Sequence, residues 1–459
     1  MSTLKRLHRL HRSTLIFSTL TALASSALAW SDHAMVTYRA LERMPELAAN
    51  VRVAAEPLDE FLKKQEPAIE ALLAAQESWA RDTLKAYAPR PDALAFKADP
   101  AMGDEARRQA FFAALRISAG SRFALYVQPD PWEAAPAADR LLPASAVKAN
   151  TDADESRHTF ARIDAGDMVP ALAVVASASD EPDYGLDINL WSDSPTPEGK
   201  AYGFGTLPFG NPALSFSTQA PFHMGFFHEP EILYWAASFL RRTYPLLRVH
   251  QYVGLAQLAF ETGHPYWGWR FTGLAMHYLQ DLTQPYHASL SPGNSAARLI
   301  GINVMAMVGL PQRKNDMIVL LSNRHLAMER YESALVRRAA EARQAGAIEM
   351  AARDTSSDAD YPPWSPDYVR DVVSLQAYEA APGTDRTIVG AMPAQLVSDP
   401  SFDFGVHANE VDLLARLADS DPAERMRMDT TIAELLRHYG AHSRALVRGV
   451  LSSTPAASR

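Results

Sequence analysis

In the string HYLQDLTQPYH at 277–287, His277 and Asp281 stand four residues apart. On a helix that spacing puts an imidazole and a carboxylate one turn apart on one face, where both can approach neighbouring metal ions. Pro285 disturbs the helix and turns the chain, so that His287 enters the same cavity from another direction. Imidazole nitrogen with carboxylate oxygen is a zinc-type ligand set. A single His-x3-Asp pair also decorates many solvated helix faces, so more ligands are needed. NRHLAMERYE supplies a second pair, His325 and Glu329, again four apart in a segment whose Leu, Ala, Met and Glu favour helix. Two such pairs point to a metal centre inside a helical bundle.

The amino terminus adds a third element. Residues 1–29 carry Lys5, Arg6, Arg9 and Arg12, then an apolar run around Leu15-Ile16-Phe17, then small residues ending Ala27-Leu28-Ala29. This reads as a secretory signal with an A-x-A cleavage site. Its apolar run, interrupted by Ser and Thr, is too short to persist as a membrane span. Cleavage makes Trp30 the first residue of a mature chain. Its α-amino group, with a reference pKa of about 8, can then chelate a metal together with the Trp30 carbonyl. His33 stands three residues on.

A mature N-terminal Trp, the His of HAMVT, HYLQDLTQPYH and a later His-x3-Glu together resemble the bacterial zinc-dependent phospholipases C, relatives of the single-strand-specific zinc nucleases. The motifs span Trp30 to Glu329, and it is their order that makes the resemblance specific. It implies an all-α, single-domain helical bundle, with loop insertions, around a buried cluster of three zinc ions. Trp30, through its amino nitrogen and carbonyl oxygen, and His33 would hold one zinc. Asp281 would bridge it to a second zinc bound by His277, and His287, His325 and Glu329 would hold the third. The family also uses an earlier Asp near the end of a helix as ligand and general base. Asp183 in Pro182-Asp183-Tyr184 takes that place, with Asp187 in reserve or as a solvated turn residue. One further His is implied before the 277 helix, and APFHMGFFHEPE offers both His223 and His228. His438 and His442 fall outside the set and read as surface or packing residues; His264, in Gly-His-Pro, reads as structural.

The chain departs from the family pattern after Asp183. The stretch 185–220 is long, irregular and rich in Gly, Pro and Ser, and such a stretch is usually either a functional loop or a disordered one. Trp191, Tyr202, Phe204 and Phe209 within it either line a pocket or pack the loop onto the bundle. Substrate choice is the property it puts in question.

Composition bounds the remainder. The whole chain carries a formal charge of −9, and losing the four basic residues of an acid-free leader makes it −13. Such acidity gives no footprint for a stable nucleic-acid partner. Without cysteine there are no disulfides and no thiolate metal sites, so a secreted or periplasmic chain must rely on its core and its metals. Helical periodicity predicts helices near 34–48, 57–88, 104–117, 231–244, 250–262, 266–283, 315–345 and 423–451, the last with Ile432, Leu435, Leu436, Tyr439 and Leu446 on an apolar stripe. Pro-containing stretches at 128–150 and 355–402 read as irregular insertions within one domain, 30–459. The expected activity is metal-assisted hydrolysis of a phospholipid or another phosphodiester, with transient contact to a membrane surface. A single-strand nuclease and a non-catalytic exported zinc protein are the alternatives.

Overall fold

Helix Pro265–Asp281 begins on a proline whose fixed φ suits the first helical position. Every residue from Tyr266 to Asp281 is buried, as in a helix surrounded by others. The computed structural model describes residues 30, 32–149, 158–210, 215–407, 411–418 and 420–452; the export signal expected over 1–29 lies outside them. In chain order, the principal helices are α1 (His33–Leu41), α2 (Leu58–Thr83), α3 (Asp104–Leu115), α4 (Ala171–Ser179), α5 (Ala220–His223), α6 (Glu231–Ala236), α7 (Pro245–Glu261), α8 (Pro265–Asp281) and α9 (Pro285–Ala288). They continue with α10 (Ala296–Met307), α11 (Gln312–Ala342), α12 (Ala347–Arg353), α13 (Leu375–Ala391) and α14 (Pro422–Ser452). The architecture is all-α, a helical bundle with loops. Among the described residues strand structure is confined to small antiparallel sheets: β1 (Arg52–Ala54) pairs β5 (Met168–Pro170), and β4 (Phe160–Arg162) lies between β2 (Tyr126–Val127) and β3 (Leu141–Leu142). In the first sheet Val53 stands opposite Val169, so β5 delivers the chain directly into α4.

Three helices, α4, α7 and α14, pack around α8, and α1 lies between α4 and α14. The α4–α8 approach depends on Gly273, where a Cβ would stand 2.4 Å from the Val175 carbonyl oxygen and 2.6 Å from the Ala178 Cβ. On α14 the stripe Ile432, Leu435, Leu436, Tyr439 and Leu446 is buried, as its periodicity predicts. Beyond Asp281 the chain leaves helical conformation. The Gln284 side chain caps the Tyr286 amide, and Pro285 starts the single turn α9 that carries His287.

Several expectations need correction. The helix read over 231–244 is α6 followed by a 3-10 turn, Ser238–Arg241. The stretch 355–402 contains a π-helical segment, Val369–Ser374, running into α13, which continues through Pro382. Helix α4 is missing from the periodicity reading because ALAVVASAS is apolar nearly all round and so has no amphipathic stripe. The described residues of the insertion 185–220 pack onto the bundle: Trp191, Tyr202, Phe204 and Phe209 are all buried. The Trp191 ring lies 5.5 Å from that of Phe222, and its Nε1–H donates to the Thr218 carbonyl at 2.7 Å.

Candidate metal centre

The close approach of α4 to α8 sets the first ligand. His277 Nδ1–H donates to the Ser179 carbonyl at the end of α4 at 2.7 Å, which turns Nε2 inward. Asp281, one turn on, receives three imidazoles: His223 Nδ1 lies 2.8 Å from Oδ2, His277 Nε2 lies 3.3 Å from Oδ2, and His33 Nε2 lies 3.3 Å from Oδ1. Asp183, on the 3-10 turn Glu181–Tyr184 after α4, places Oδ1 3.8 Å from both His223 Nδ1 and His277 Nε2. Across α9 and α11, His325 Nε2 lies 2.6 Å and His287 Nε2 3.7 Å from Glu329 Oε1. The donors fall into three groups, each able to hold an ion: His33 with Asp183 and His277; His223 with His277 and Asp281; His287 with His325 and Glu329.

Whether these residues fit a metal is tested by their unspent atoms. His33 Nε2, Asp281 Oδ1, His287 Nε2, His325 Nε2 and Glu329 Oε2 are buried without a hydrogen-bond partner, and such atoms are costly to leave so. On the far side of the rings the partners are complete. His33 Nδ1–H donates to Gln280 Oε1 at 2.8 Å, and His287 Nδ1–H donates to the His223 carbonyl at 2.9 Å. A ligand histidine is held this way, its second nitrogen fixed by a protein acceptor so that the first keeps a lone pair for the ion. The set of imidazoles and carboxylates without sulfur suits a divalent transition metal.

The electrostatics favour a cation most clearly at His287, His325 and Glu329. Burial pushes His287 and His325 down to about 3, which keeps both neutral and able to coordinate. Burial raises Glu329 well above the usual carboxylate range, a cost that a nearby cation removes. For His277 burial opposes the charge, but Asp281 and Asp183 outweigh it and lift the ring to about 9. Burial would raise Asp281, yet His277 and the hydrogen bonds from the surrounding imidazoles hold it well below the ordinary range.

Of the two histidines left open by the sequence, His223 stands in the cluster. His228 does not: its Nε2 pairs with the Arg370 carbonyl at 2.8 Å, and its ring lies in the wall of a separate groove of about 980 Å³ beside Trp79, Tyr234 and Trp364. The reason is local, since α5 ends at His223 and the extended Met224 carries the next residues outward. Phe222, held by Trp191 and Phe204 of the 185–220 stretch, keeps α5 in place. Asp187 is not a solvated turn residue. It is fully buried, accepting from Arg248 at 2.6 and 2.9 Å and from the Tyr278 hydroxyl at 2.5 Å, with Oδ2 3.8 Å from His223 Nε2. Trp30 is buried beside the cluster, its indole Nε1–H donating to Thr283 Oγ1 at 3.1 Å.

His264 is structural, paired with Glu56 and Gln65. His442 is a packing residue between Tyr368 and Gln376. The residues that sequence reasoning missed are the orienting ones. Gln280, Gln284 and Ser179 offered one signal, polar side chains within or at the ends of apolar runs, and Gln219, which donates to Asp183 at 3.0 Å, offered none. No family model, curated protein or solved structure matches the chain.

Proposed function

We propose that this chain is an exported zinc-dependent phosphodiesterase of the phospholipase C type, a member of that family. The observation that carries the reading is the meeting, in one buried cluster, of His33, Asp183, His223, His277, Asp281, His287, His325 and Glu329 from six separate segments, with inner atoms of His33, Asp281, His287, His325 and Glu329 left without a hydrogen-bond partner. By resemblance, the amino nitrogen and carbonyl oxygen of a processed Trp30 complete the ligand set for three zinc ions. Bound there, zinc ions would neutralise phosphate oxygens and bring the pKa of water toward about 7.

The protein's own groups divide the other tasks. Asp281 is shared among three imidazoles and ties two of the ligand groups together. Asp183 is the member of the cluster with the most exposed side chain, at 19%, so its Oδ1 orients an incoming water and accepts its proton. Gln219 fixes that carboxylate. Phospholipid is favoured over nucleic acid by the acidity of the chain and by Glu, not Asp, as the last ligand. The depth of the cluster favours one rival, a protein whose zinc ions only brace the bundle.

A turnover panel decides. Chelator-treated protein resupplied with zinc should hydrolyse phosphatidylcholine and a soluble short phosphodiester in preference to single-stranded DNA. Zinc binding without turnover of any phosphodiester would leave the structural role, and preference for DNA would move the chain to the nuclease branch.

A further inference from the structure

Ten large apolar side chains stand exposed among the described residues, and six of them, Ile232, Trp235, Val304, Met307, Val308 and Leu310, belong to α6 and to α10 with the turn that follows it. These two short helices pack on each other, where Leu233 and Tyr234 share a small apolar core with Leu299, Ile302 and Met317. Their exposed side chains therefore stand on two helices that flank one core. Trp235 is 88% exposed and Val308 71%. Clustering of this kind marks an interaction surface, whereas single exposed apolar residues do not.

The charges around the region say what it meets. From residue 299 to residue 312 the sequence has no charged side chain, while Arg298 and Arg313, both exposed, stand at either end. An uncharged apolar tip flanked by Arg298 and Arg313, beside a helix that carries Trp235 and whose exposed Glu231 pairs with Arg241, matches the boundary between headgroups and acyl chains, where indole sits at headgroup level and guanidinium meets phosphate. A groove of about 810 Å³, lined by Ile302, Met305, Met317 and Leu320 together with Arg313 and Asp316, runs between α10 and α11 as far as Arg324, the neighbour in sequence of His325. Spanning is not at issue: α10 has 12 residues, about 18 Å against a hydrocarbon core of about 30 Å. No described helix is long and apolar enough to cross a membrane.

We propose that α6, α10 and the 308–311 turn form a docking face for a phospholipid surface, with Met307, Val308 and Leu310 entering the acyl boundary and Trp235 lying among the headgroups. Its use in presenting substrate rests on the phospholipase reading, while binding itself does not require turnover.

The test uses the full processed chain and phosphatidylcholine vesicles, by co-sedimentation, with and without chelator. Wild-type protein should bind in both conditions, with a vesicle-induced shift of tryptophan emission. The combined Trp235→Ser, Met307→Asp and Val308→Asp variant should bind at least about tenfold more weakly, lose that shift, and hydrolyse a soluble phosphodiester at the wild-type rate. Equal vesicle binding by the variant would overturn the proposal. So would wild-type protein that ignores vesicles but sediments as a dimer which the variant breaks, because the face would then join two copies. Vesicle binding without any turnover supports the docking face and counts against the proposed activity alone; turnover of the soluble diester without vesicle binding does the reverse.

Discussion

Asp281 is approached by His33, His223 and His277, each within 3.3 Å, so its removal acts on two ligand groups together. Asp281→Asn keeps the volume but replaces one oxygen donor by an amide nitrogen that cannot bind a cation. The variant should abolish turnover and lower the zinc content by more than one ion per chain, measured by elemental analysis; full activity would contradict the bridging role. Gln280 acts one step further out, holding His33 Nδ1 through its carbonyl oxygen while its amide donates to Thr37 and Ser443. Outer partners of this kind are worth about 10–100-fold in metal affinity. Gln280→Ala should weaken binding of the most labile zinc by about that factor in a competition titration while leaving Glu329 and its ion unaffected.

At the scale of elements, the centre depends on how near α4 comes to α8. Gly273→Ala would place a methyl 2.4 Å from the Val175 carbonyl oxygen, which forces the helices apart at a cost of about 1–3 kcal/mol. Because Ser179 at the end of α4 orients His277, the variant should lose both thermal stability and metal affinity. Loss of stability alone would show that the two are uncoupled. The strongly periodic helices, including α8, α11 and α14, and the turn at Pro285 were legible from spacing. Helix α4 was not, since ALAVVASAS is apolar nearly all round and has no stripe to read, nor was α13, whose Pro382 looks like a breaker but sits in a helix that continues past it. The ligands on α8 and α11 were legible because four-residue spacing is a property of one helix. His223 could not be separated from His228, because that choice depends on where α5 ends and on the packing of Phe222 against a distant tryptophan.

For the molecule as a whole, the lack of cysteine leaves no disulfide to hold a bundle that contains several buried histidines. His442 shows the consequence. Its Nε2–H donates to Gln376, its Nδ1 accepts from the Tyr368 hydroxyl, and burial, with help from His438 and Arg444, pushes it down to about 3. The unfolded chain, with a histidine pKa of about 6.5, binds the proton more readily. Stability is therefore complete above pH ~6.5 and falls as the pH drops toward 3, by up to about 1.4 kcal/mol per unit from this group. Denaturant titrations of chelated protein should show a shallower acid loss for His442→Gln than for wild type, and identical slopes would contradict the assignment. The claim on which everything else rests is the cluster itself. Anomalous diffraction at the zinc edge, from crystals of protein processed to begin at Trp30 and never exposed to chelator, tests it most directly. Three peaks are expected: one beside His33, Asp183 and His277, one beside His223, His277 and Asp281, and one between His287, His325 and Glu329. Crystals of active protein with no peak among these residues would contradict the metal centre and the function built on it.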